Sequence, residues 1–441
     1  MKKIQIGVVG YGYWGPNLVR NLSQSPDCEV ALVCDTNPER LKHLRRLYPQ
    51  VATTHRVEDL VEKPEIDAVV IATPVQWHHA MARACLNAGK HTFIEKPMTR
   101  THAEGEELVN LATSLGLVLM VGHTFLFSPA VRRMKEIIDS GDIGEVQYIT
   151  ARRLNLGLFQ KEINVAWDLA PHDISIILHL LGDMPTSLAC HGSSHLTRGV
   201  EDVTMMYLIF KGNRCAIIQN SWLDPKKVRQ MTVVGSRRMI VYDDTEPLEK
   251  LRIYDARVEA PAHYDTFAEF TYSYHYGDVY IPHIKQDEPL KLECQHFLDC
   301  IRGVTTPLTG GRDGLKVVQV LEAAARSLRQ EGRPVVLDES AQPAISTVRV
   351  AGTFNNWQPE DKPRHLFRRG YGIPETDLAP GTYEYCLVVD GKFVPDPLAH
   401  ETVPNPFGGR NSVLKVYGSP AEAVPNGAEP VAAENNHNHS P

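Results

Sequence analysis

The sequence predicts an α/β protein made of three successive domains. The first is a doubly wound parallel sheet, the second an α/β domain with a large, mostly antiparallel open sheet, and the third a small all-β, immunoglobulin-like sandwich. Three observations indicate this order. The length of 441 residues suggests about three domains. Short β-branched runs alternate with helical spacing near the start, and runs of alternating polarity joined by turn residues follow.

The first domain is predicted over residues 1–123. Apolar runs typical of strands are separated by segments with helical spacing, which is the pattern of βαβ units in a parallel sheet. The predicted strands are Ile4–Val9, Val30–Cys34, Ala68–Ala72, Thr92–Ile94 and Val118–Val121, and the predicted helices include Trp77–Ala88 and Ala103–Leu115.

The second domain is predicted over residues 124–337. Runs of alternating polarity, joined by turns such as Lys211-Gly212-Asn213, indicate an antiparallel sheet. The predicted strands are Val146–Leu154, Val203–Phe210, Cys215–Trp222, Val228–Val234 and Met239–Tyr242, and the predicted helices are Ile174–Leu181, Leu290–Arg302 and Arg312–Arg329.

A polar linker, 338–347, precedes the third domain, which is predicted over residues 348–417. Strands are expected over Val348–Phe354 and Gly381–Val389, helical periodicity is absent, and glycine, proline and aromatic residues recur, as in a β-sandwich. Residues 418–441 are rich in Pro, Ala, Glu and Asn, which predicts a disordered tail. We interpret His437 and His439 as part of that tail rather than as a metal site.

Composition and charge exclude several classes of protein. Hydrophobic residues make up 43% of the chain and charged residues 22%, as in ordinary globular proteins. The net charge of −7 argues against a nucleic-acid binder, and no apolar run approaches the ~18 residues of a membrane span. The eight cysteines lack zinc-site spacing, and glycines interrupt the apolar start, unlike in a signal peptide. We expect a cytoplasmic protein without a structural metal.

A glycine-rich turn follows the first predicted strand. Gly10-Tyr11-Gly12-Tyr13-Trp14-Gly15 has the G-x-G-x-x-G pattern, and Pro16 suits the first turn of the following helix. Such glycines let a pyrophosphate approach the backbone at a helix N-terminus. Asp35 comes 20 residues after Gly15, at the end of the next strand. A carboxylate there accepts hydrogen bonds from the ribose hydroxyls and repels a 2′-phosphate, so the pattern predicts NAD as cofactor rather than NADP.

Two further motifs follow later strands of the same sheet. Thr73-Pro74 opens the helix that carries His78, at the edge where ligands bind in open α/β folds; a solvated first-turn histidine is the alternative. Glu95-Lys96-Pro97 directs Lys96 into the same crevice, where an ammonium can donate to a substrate hydroxyl and lower its pKa. This motif is compatible with a cis bond before Pro97.

An acid and a histidine are spaced four residues apart in the second domain. Asp168 and His172 lie in Trp167-Asp168-Leu169-Ala170-Pro171-His172-Asp173, and this spacing across a helix start can place both on one side. Alcohol oxidation needs a base for the hydroxyl proton, and a histidine oriented by a carboxylate is suited to that task. A helix N-cap aspartate and a packed histidine are the structural alternative.

Together these motifs, in this order, resemble the Gfo/Idh/MocA oxidoreductase family over residues 1–337. The resemblance implies a Rossmann domain, a second domain whose open sheet often forms an oligomer interface, and therefore a homo-oligomer, a dimer or a tetramer. It also implies hydride exchange between a nicotinamide and a sugar or cyclitol carbon. Lys96, Asp168 and His172 match the positions that family members use to activate the substrate hydroxyl and to transfer its proton.

The resemblance extends to individual contacts. Asn155-Leu156-Gly157 and the segment around Trp167 look like the branch that acts on nucleotide-linked sugars, as does Gly235-Ser236-Arg237-Arg238-Met239. The implied substrate contacts are Lys96, Arg153, Asn155, Asn164, Trp167 and His172, with Arg152 and Lys161 as further candidates. The implied cofactor contacts are Gly10, Gly12, Tyr13, Trp14, Gly15, Asp35, Thr73, Pro74, His78, Glu95, Lys96 and His123.

Residues 345–417 resemble a different family, the glycogen-binding, E-set-like domains. The resemblance is carried by Val350-Ala351-Gly352-Thr353-Phe354-Asn355-Asn356-Trp357, Gly381-Thr382-Tyr383-Glu384-Tyr385, Val389-Asp390-Gly391, Asp396-Pro397 and Asn411. It implies glucan contacts from Trp357, Phe393 and Asn411. Phe393 stands where a second tryptophan is expected and Cys386 where a lysine is expected, and a thiol cannot donate as an ammonium does. The alternative is a β-sandwich used for packing or oligomer contacts.

These observations favour an NAD-dependent dehydrogenase of a sugar, with a nucleotide-linked sugar as the preferred substrate class. Its expected partners are that small-molecule substrate and a glucan at the last domain, with no nucleic acid and no membrane. Two alternatives remain open: a non-catalytic NAD and carbohydrate sensor, and an NAD-assisted glycoside hydrolase on the same fold.

Overall fold

The computed structural model describes residues 2–157, 159–160, 162–259, 272–337, 348–358, 378–389, 392–396, 399, 401–406 and 409–416. The chain divides into two compact units, Met1–Glu339 and Ser340–Pro441. Lys161, the linker 338–347 and the tail 418–441 lie outside the described residues, and with them the predictions made for those segments.

The N-terminal unit begins with a six-stranded parallel sheet in the order β3-β2-β1-β4-β5-β6. Its strands are β1 (Ile4–Val9), β2 (Cys28–Cys34), β3 (Ala52–Thr54), β4 (Ala68–Ile71), β5 (His91–Glu95) and β6 (Leu119–Gly122). Its helices are α1 (Gly15–Gln24), α2 (Pro38–Leu47), α3 (Glu58–Val61), α4 (His78–Asn87) and α5 (His102–Leu115). The predicted parallel sheet is confirmed, and the three-residue β3 is its only strand that the apolar runs did not indicate.

The rest of this unit contains a nine-stranded sheet in the order β14-β13-β12-β11-β7-β10-β9-β8-β15. Its strands are β7 (Val146–Leu156), β8 (Ser187–Ser193), β9 (Val203–Ile209), β10 (Cys215–Ser221), β11 (Leu223–Gly235), β12 (Met239–Asp243), β13 (Leu251–Glu259), β14 (Ser273–Tyr280) and β15 (Val335–Val336). Its helices are α6 (Pro129–Asp139), α7 (Val165–Leu181), α8 (Pro289–Ile301) and α9 (Gly311–Arg329). The sheet is mixed, because β10 pairs with β7 in parallel while the other described pairs are antiparallel.

Two helices differ from their predicted placement. Helix α7 begins at Val165, nine residues before the predicted Ile174, so the whole Asp168–His172 segment is helical. Helix α8 was assigned to the second domain, yet it packs on the parallel sheet beside α1. There Phe297 meets Phe93 of β5 edge to face, with ring centroids 5.6 Å apart. Packing of α8 closes the face of the parallel sheet that α1 covers only in part.

The C-terminal unit contains β16 (Val348–Gly352), β17 (Gly381–Val389), β18 (Lys392–Val394), β19 (Thr402–Pro404) and β20 (Arg410–Val416). They form one antiparallel sheet in the order β16-β17-β20-β19, with β18 beside β17. The predicted β-rich unit is confirmed, whereas a second facing sheet, which a sandwich requires, is not found among its described residues. Across the described part of the chain, no helix combines the length and apolarity that crossing a membrane demands.

Candidate active site

The turn between β1 and α1 depends on two of its three glycines. Gly10 has φ +95°, and a Cβ there would lie 2.5 Å from the carbonyl oxygen of Ala72. A Cβ at Gly15 would clash with the carbonyl oxygen of Gly10. At Gly12 the nearest atom would be the tip of Arg40, 3.6 Å away, so this backbone faces open space. No side chain caps α1, so its N-terminus can receive an anion.

Asp35 lies at the end of β2, where the cofactor prediction places a carboxylate. Its Oδ2 accepts a hydrogen bond from the Tyr11 backbone N–H at 2.7 Å, and its Oδ1 accepts one from Asn37 at 2.8 Å. The Arg40 guanidinium lies 3.4 Å from Oδ2. These contacts hold the carboxylate at the rim of the glycine turn.

A cleft of about 890 Å³ runs along the carboxyl edge of the parallel sheet to the start of α7. The predicted cofactor contacts that line it are Gly10, Gly12, Tyr13, Trp14, Asp35, Thr73, Pro74 and Lys96. Gly15, His78, Glu95 and His123 do not line it. The open backbone at Gly12, the uncapped helix and the Asp35 carboxylate fit a dinucleotide, so the residues present suit NAD.

His78 is buried behind the cleft rather than in its wall. Its Nδ1 lies 2.9 Å from the carbonyl oxygen of Pro97 and its Nε2 2.7 Å from that of Thr73. Burial lowers the pKa of this imidazole. His78 therefore joins the Thr73 turn to the Lys96 turn, which is a positioning contact and neither the solvated histidine nor the cofactor contact considered from sequence.

Lys96 connects the two sheets at the inner end of the cleft. The Lys96–Pro97 bond is cis. The Nζ donates to the backbone carbonyl of Asp168 at 2.8 Å and lies 3.8 Å from its Oδ1. Burial lowers the pKa of this ammonium, and the carboxylates of Asp168 and Glu95 oppose that shift. One N–H remains to donate to a substrate oxygen, because an ammonium has three donors.

Helix α7 is capped by Asn164 rather than by Asp168. The Oδ1 of Asn164 accepts a hydrogen bond from the Trp167 backbone N–H at 3.1 Å, and its Nδ2 donates to Glu201 at 2.7 Å. Asn164 was predicted as a substrate contact, and its amide is occupied by these bonds. Asp168 instead lies in the first turn, where its charge is favourable to the helix dipole.

The Asp168 carboxylate does not contact His172 as the sequence predicted. Its Oδ2 accepts a hydrogen bond from the Trp222 indole at 3.1 Å, and no hydrogen bond between Asp168 and His172 is found in the described part of the chain. The four-residue spacing places both on α7, but the carboxylate turns toward Lys96 and toward Trp222, between β10 and β11, because donors from both meet it there. Asp168 therefore positions Lys96 rather than the imidazole.

His172 is half-buried one turn after Asp168, and it is not among the side chains that line the cleft. Its ring packs edge to face against Phe125, with centroids 4.9 Å apart, and its Nδ1 is buried without a partner among the described residues. Burial lowers the pKa of His172 well below its ordinary value, and the charges of Lys96, Arg153, His123 and Arg229 add to this. A neutral imidazole can accept a proton.

Arg153 was predicted to bind substrate, and the structure places it in a closed ion pair. Its Nε and Nη2 donate to the two carboxylate oxygens of Asp173 at 3.0 and 2.8 Å. Its guanidinium also stacks on Phe125, 4.5 Å from the ring centroid. Both charged side chains are 6% exposed. Two of its five N–H donors are thus committed to a buried partner, and its contact with substrate stays a prediction. Asn155 lies half-buried on β7 and Arg152 is exposed there.

Trp167 lies between this cleft and a second, polar cleft of about 1060 Å³. The two clefts also share Val75, Gln76, Glu162 and Ile163. The second cleft is lined by Asn164, Glu162, Glu201 and Glu322 and by three arginines, Arg100, Arg326 and Arg329. Sequence reasoning missed these arginines: Arg326 and Arg329 lie on α9, far from the motifs, and Arg100 lies in the turn before α5.

Sequence reasoning also missed a buried carboxyl pair. Glu95 and Glu293 each carry an Oε1 that has no partner among the described residues, and Glu293 accepts a hydrogen bond from Thr124 at 2.6 Å. Burial raises the pKa of Glu95 to about 7, and burial together with Glu95 raises that of Glu293 well above its ordinary value. Gly122 leaves room for the Glu95 carboxylate, because a Cβ at position 122 would lie 2.9 Å from it. A glutamate on the apolar face of α8, beside Leu290 and Phe297, was the available signal.

The predicted glucan contacts of the C-terminal unit differ in exposure. Trp357 is half-buried with φ +60°, and Phe393 is 54% exposed. Asn411 is buried; its Nδ2 donates to Glu384 at 2.9 Å and its Oδ1 accepts from Asn405 at 3.1 Å. The Asn411 amide is thus bonded within the unit. Glucan binding stays a prediction.

Two family models match the chain. The first, the oxidoreductase family with an NAD-binding Rossmann fold, matches residues 4–123, and the GFO/IDH/MocA C-terminal domain matches residues 131–241. The chain belongs to the GFO/IDH/MocA oxidoreductase family. The predicted family, its NAD-binding Rossmann domain and NAD as the cofactor are confirmed.

Named relatives of this GFO/IDH/MocA chain come from several bacteria. Myo-inositol 2-dehydrogenase of Thermotoga maritima is 24% identical, over 76% of this chain and 99% of that protein. The solved UDP-N-acetylglucosamine 3-dehydrogenase GnnA of Acidithiobacillus ferrooxidans is 23% identical, with a TM-score of 0.63 over 75% of this chain and 99% of that one. The WlbA dehydrogenase of Bordetella pertussis, solved with NADH and UDP-GlcNAcA, is 21% identical, with a TM-score of 0.62 over 76% and 99%. These structures share the fold of this chain.

Proposed function

We propose that this GFO/IDH/MocA protein is an NAD-dependent dehydrogenase that oxidises a CH–OH group of a sugar, with a nucleotide-linked sugar as its substrate. The observation that carries the proposal is the meeting of Lys96, from the parallel sheet, with Asp168 and the His172 turn of α7 at the inner end of the cofactor cleft. Both an ammonium donor and a neutral imidazole are therefore present beside the dinucleotide cleft.

Each residue has a distinct task in this proposal. Bound NAD supplies the hydride acceptor. Lys96 donates a hydrogen bond to the substrate hydroxyl oxygen, which stabilises the negative charge that develops as its proton leaves. His172 accepts that proton, since its depressed pKa keeps it neutral near pH 7. Asp168 holds Lys96 in place through its backbone carbonyl and its carboxylate.

The second cleft supports a phosphorylated substrate. Its three arginines, Arg100, Arg326 and Arg329, have no ion-pair partner among the described residues, and arginine recognises phosphate oxygens through paired N–H donors. Its carboxylates can accept hydrogen bonds from sugar hydroxyls. The shared Gln76, Ile163 and Trp167 connect it to the cofactor cleft. A substrate with a sugar at Lys96 and a diphosphate at the arginines fits both clefts.

A substrate panel tests this proposal directly. The full-length protein with NAD is mixed with UDP- and dTDP-sugars, with the free sugars and with inositols, and NADH is followed at 340 nm. We expect turnover with nucleotide-linked sugars and little with the unphosphorylated compounds. Turnover confined to free sugars or inositols would contradict the substrate class, and binding of NAD without any turnover would favour a sensor.

Replacement of the lysine tests the assigned chemistry. We expect Lys96→Met to lower kcat by about 10²–10⁴-fold, the usual loss when a positioned proton-transfer group is removed. The fluorescence-measured Kd for NADH should stay unchanged. Lys42→Met, on the exposed face of α2, is the matched control and should have wild-type kcat. Wild-type turnover in Lys96→Met would remove Lys96 from the mechanism.

A further inference from the structure

Trp222 lies behind the Lys96 site, between β10 and β11, and the proposed mechanism gives it no task. Its side chain is fully buried, and its indole Nε1 donates a hydrogen bond to the Oδ2 of Asp168 at 3.1 Å. Trp222 does not line the cofactor cleft, whereas Asp168 and Lys96 both do. Any effect of Trp222 on the reaction therefore passes through Asp168.

The Trp222 ring is held on several sides. Its backbone N–H donates to the carbonyl of Asp202 at 3.0 Å, and its carbonyl accepts a hydrogen bond from the backbone N–H of Gly157, also at 3.0 Å. A Cβ at Gly157 would lie 2.5 Å from the Cδ1 of the indole. The Phe159 ring meets the indole edge to face, with centroids 5.4 Å apart. The indole N–H is therefore a fixed donor, and the Asp168 carboxylate must come to it.

The two carboxylate oxygens of Asp168 have different partners. While Oδ2 accepts the hydrogen bond from the indole, Oδ1 lies 3.8 Å from the Lys96 Nζ, which is too far for a hydrogen bond. The Nζ donates instead to the backbone carbonyl of Asp168 at 2.8 Å. Rotation of an aspartate carboxylate about its last bond is soft, so without the indole the attraction of the ammonium can turn the carboxylate onto Lys96.

Asp173, five residues further along α7, shows the closed arrangement. Its two oxygens accept hydrogen bonds from Arg153 at 2.8 and 3.0 Å, and in the described part of the chain no other side chain donates to it. A carboxylate whose only donor is a cation closes on that cation, whereas Asp168, which also has the indole donor, stays 3.8 Å from its cation.

We propose that Trp222 is a positioning residue that keeps the Lys96–Asp168 pair open, so that one N–H of Lys96 stays available to the substrate hydroxyl. When the indole N–H is removed, the carboxylate turns onto the ammonium and takes up that donor. The effect on the reaction rests on the dehydrogenase function proposed above, but the geometry of the pair does not.

Replacement of the indole by a ring without a donor tests this role. We expect Trp222→Phe to lower kcat and kcat/KM equally, by about tenfold, since a hydrogen bond to a charged group is worth about that factor and the lost contact acts in the transition state. The Kd for NADH should stay unchanged. A wild-type kcat would overturn the proposal, as would a raised KM with an unchanged kcat.

A packing control and a second variant accompany Trp222→Phe. Phe159→Leu loosens the same ring contact but leaves the indole N–H, and it should keep the wild-type kcat. An equal loss of kcat in Phe159→Leu and Trp222→Phe would show that Trp222 acts by packing. Gly157→Ala displaces the indole without removing it, so it should also lower kcat. A wild-type kcat in Gly157→Ala would contradict the proposal, which keeps the test decisive if Trp222→Phe does not fold.

A double-mutant cycle asks whether Trp222 acts through the carboxylate. In Asp168→Asn no negative charge remains to close on Lys96, so adding Trp222→Phe should change kcat little further. The same tenfold loss in the Asp168→Asn background as in the wild type would overturn the proposal.

A structural measurement separates this proposal from the dehydrogenase function. Crystal structures of the full-length wild type and Trp222→Phe, both with NAD, give the distance between the Lys96 Nζ and the nearer Asp168 carboxylate oxygen. We expect it to shorten from 3.8 Å to about 2.8 Å in the variant. An unchanged distance would contradict the proposal even if the substrate panel succeeds. A closed pair in Trp222→Phe, with a silent substrate panel in the wild type, would instead reject the dehydrogenase function and retain the role of Trp222.

Discussion

Two pairs of opposite charges each include an aspartate of α7, and they differ in how tightly they close. Arg153 and Asp173 are 6% exposed and joined by two short hydrogen bonds, at 2.8 and 3.0 Å. Lys96 and Asp168 are 20% and 26% exposed, with 3.8 Å between Nζ and Oδ1. The closed pair is buried and does not line the cofactor cleft, whereas the open pair lines it and keeps a donor for a substrate. Availability of a charge for chemistry therefore depends on its partner rather than on residue type.

Breaking the closed pair should have the largest effect. We expect Arg153→Met to lower the free energy of unfolding by about 3–5 kcal/mol, because Asp173 is left buried without a cation. Lys96→Met should change it by less than about 1 kcal/mol, since the open pair is partly solvated. Urea unfolding of both variants measures the difference.

A double variant controls for lost packing. Arg153→Met combined with Asp173→Leu removes both charges and should recover most of the stability lost in the single variant. Equal losses of stability in Arg153→Met and Lys96→Met would contradict the distinction between the two pairs.

A third ion pair, Asp35 and Arg40 at the cofactor cleft, is intermediate in burial and should give the next largest effect when it is broken. Asp35 is buried, while Arg40, 3.4 Å away, is half-exposed. We expect Asp35→Ser to raise the ratio of kcat/KM for NADP over NAD by about 10²-fold, because Arg40 is freed to meet a 2′-phosphate. Steady-state kinetics with both cofactors measure this ratio. In Asp35→Ser combined with Arg40→Gln the gain for NADP should disappear; if it persists, Arg40 is not its source.

Glu293 extends the comparison of ion pairs, because this buried carboxyl group has no ion-pair partner among the described residues. Burial raises the pKa values of Glu293 and Glu95, so between about pH 4.5 and pH 7 the folded state holds more protons than the unfolded state. Stability from these groups is therefore present at acid pH and is lost as pH rises through that window. We expect Glu293→Gln to reduce this loss. Relative to the wild type, its free energy of unfolding should be about 1 kcal/mol higher at pH 7.5 than at pH 5.

Thermal and urea unfolding at both pH values check the Glu293 prediction. Glu106→Gln, on the exposed face of α5, is the matched control and should follow the wild type at each pH. A parallel pH dependence of Glu293→Gln and wild type would show that Glu293 is not held protonated in the folded state.

The sequence anticipated the parts of the site that lie within one segment. The glycine turn forms as its spacing required, since Gly10 and Gly15 are each in contact with backbone that excludes a Cβ. Asp35 reaches the same cleft. The start of α7 was missed, because Asn164 caps it and Pro171 lies within it, and a proline predicts a boundary rather than an interior position. The ion pair of Arg153 was also missed, because Asp173 is no more conspicuous in sequence than any other acid.

The sequence by itself determined two local features of the site: a strand-turn-helix unit shaped for a dinucleotide, and a lysine placed at the end of a parallel strand. Both follow from neighbouring residues, whose conformation is restricted by sterics and hydrogen bonding over a few positions. Only the tertiary structure decided which acid meets which base, that both nitrogens of His123 are buried without a partner among the described residues, and that Glu293 and Glu95 are both buried. Those contacts join residues far apart in the chain, and burial sets the charge of each group only after the elements have packed.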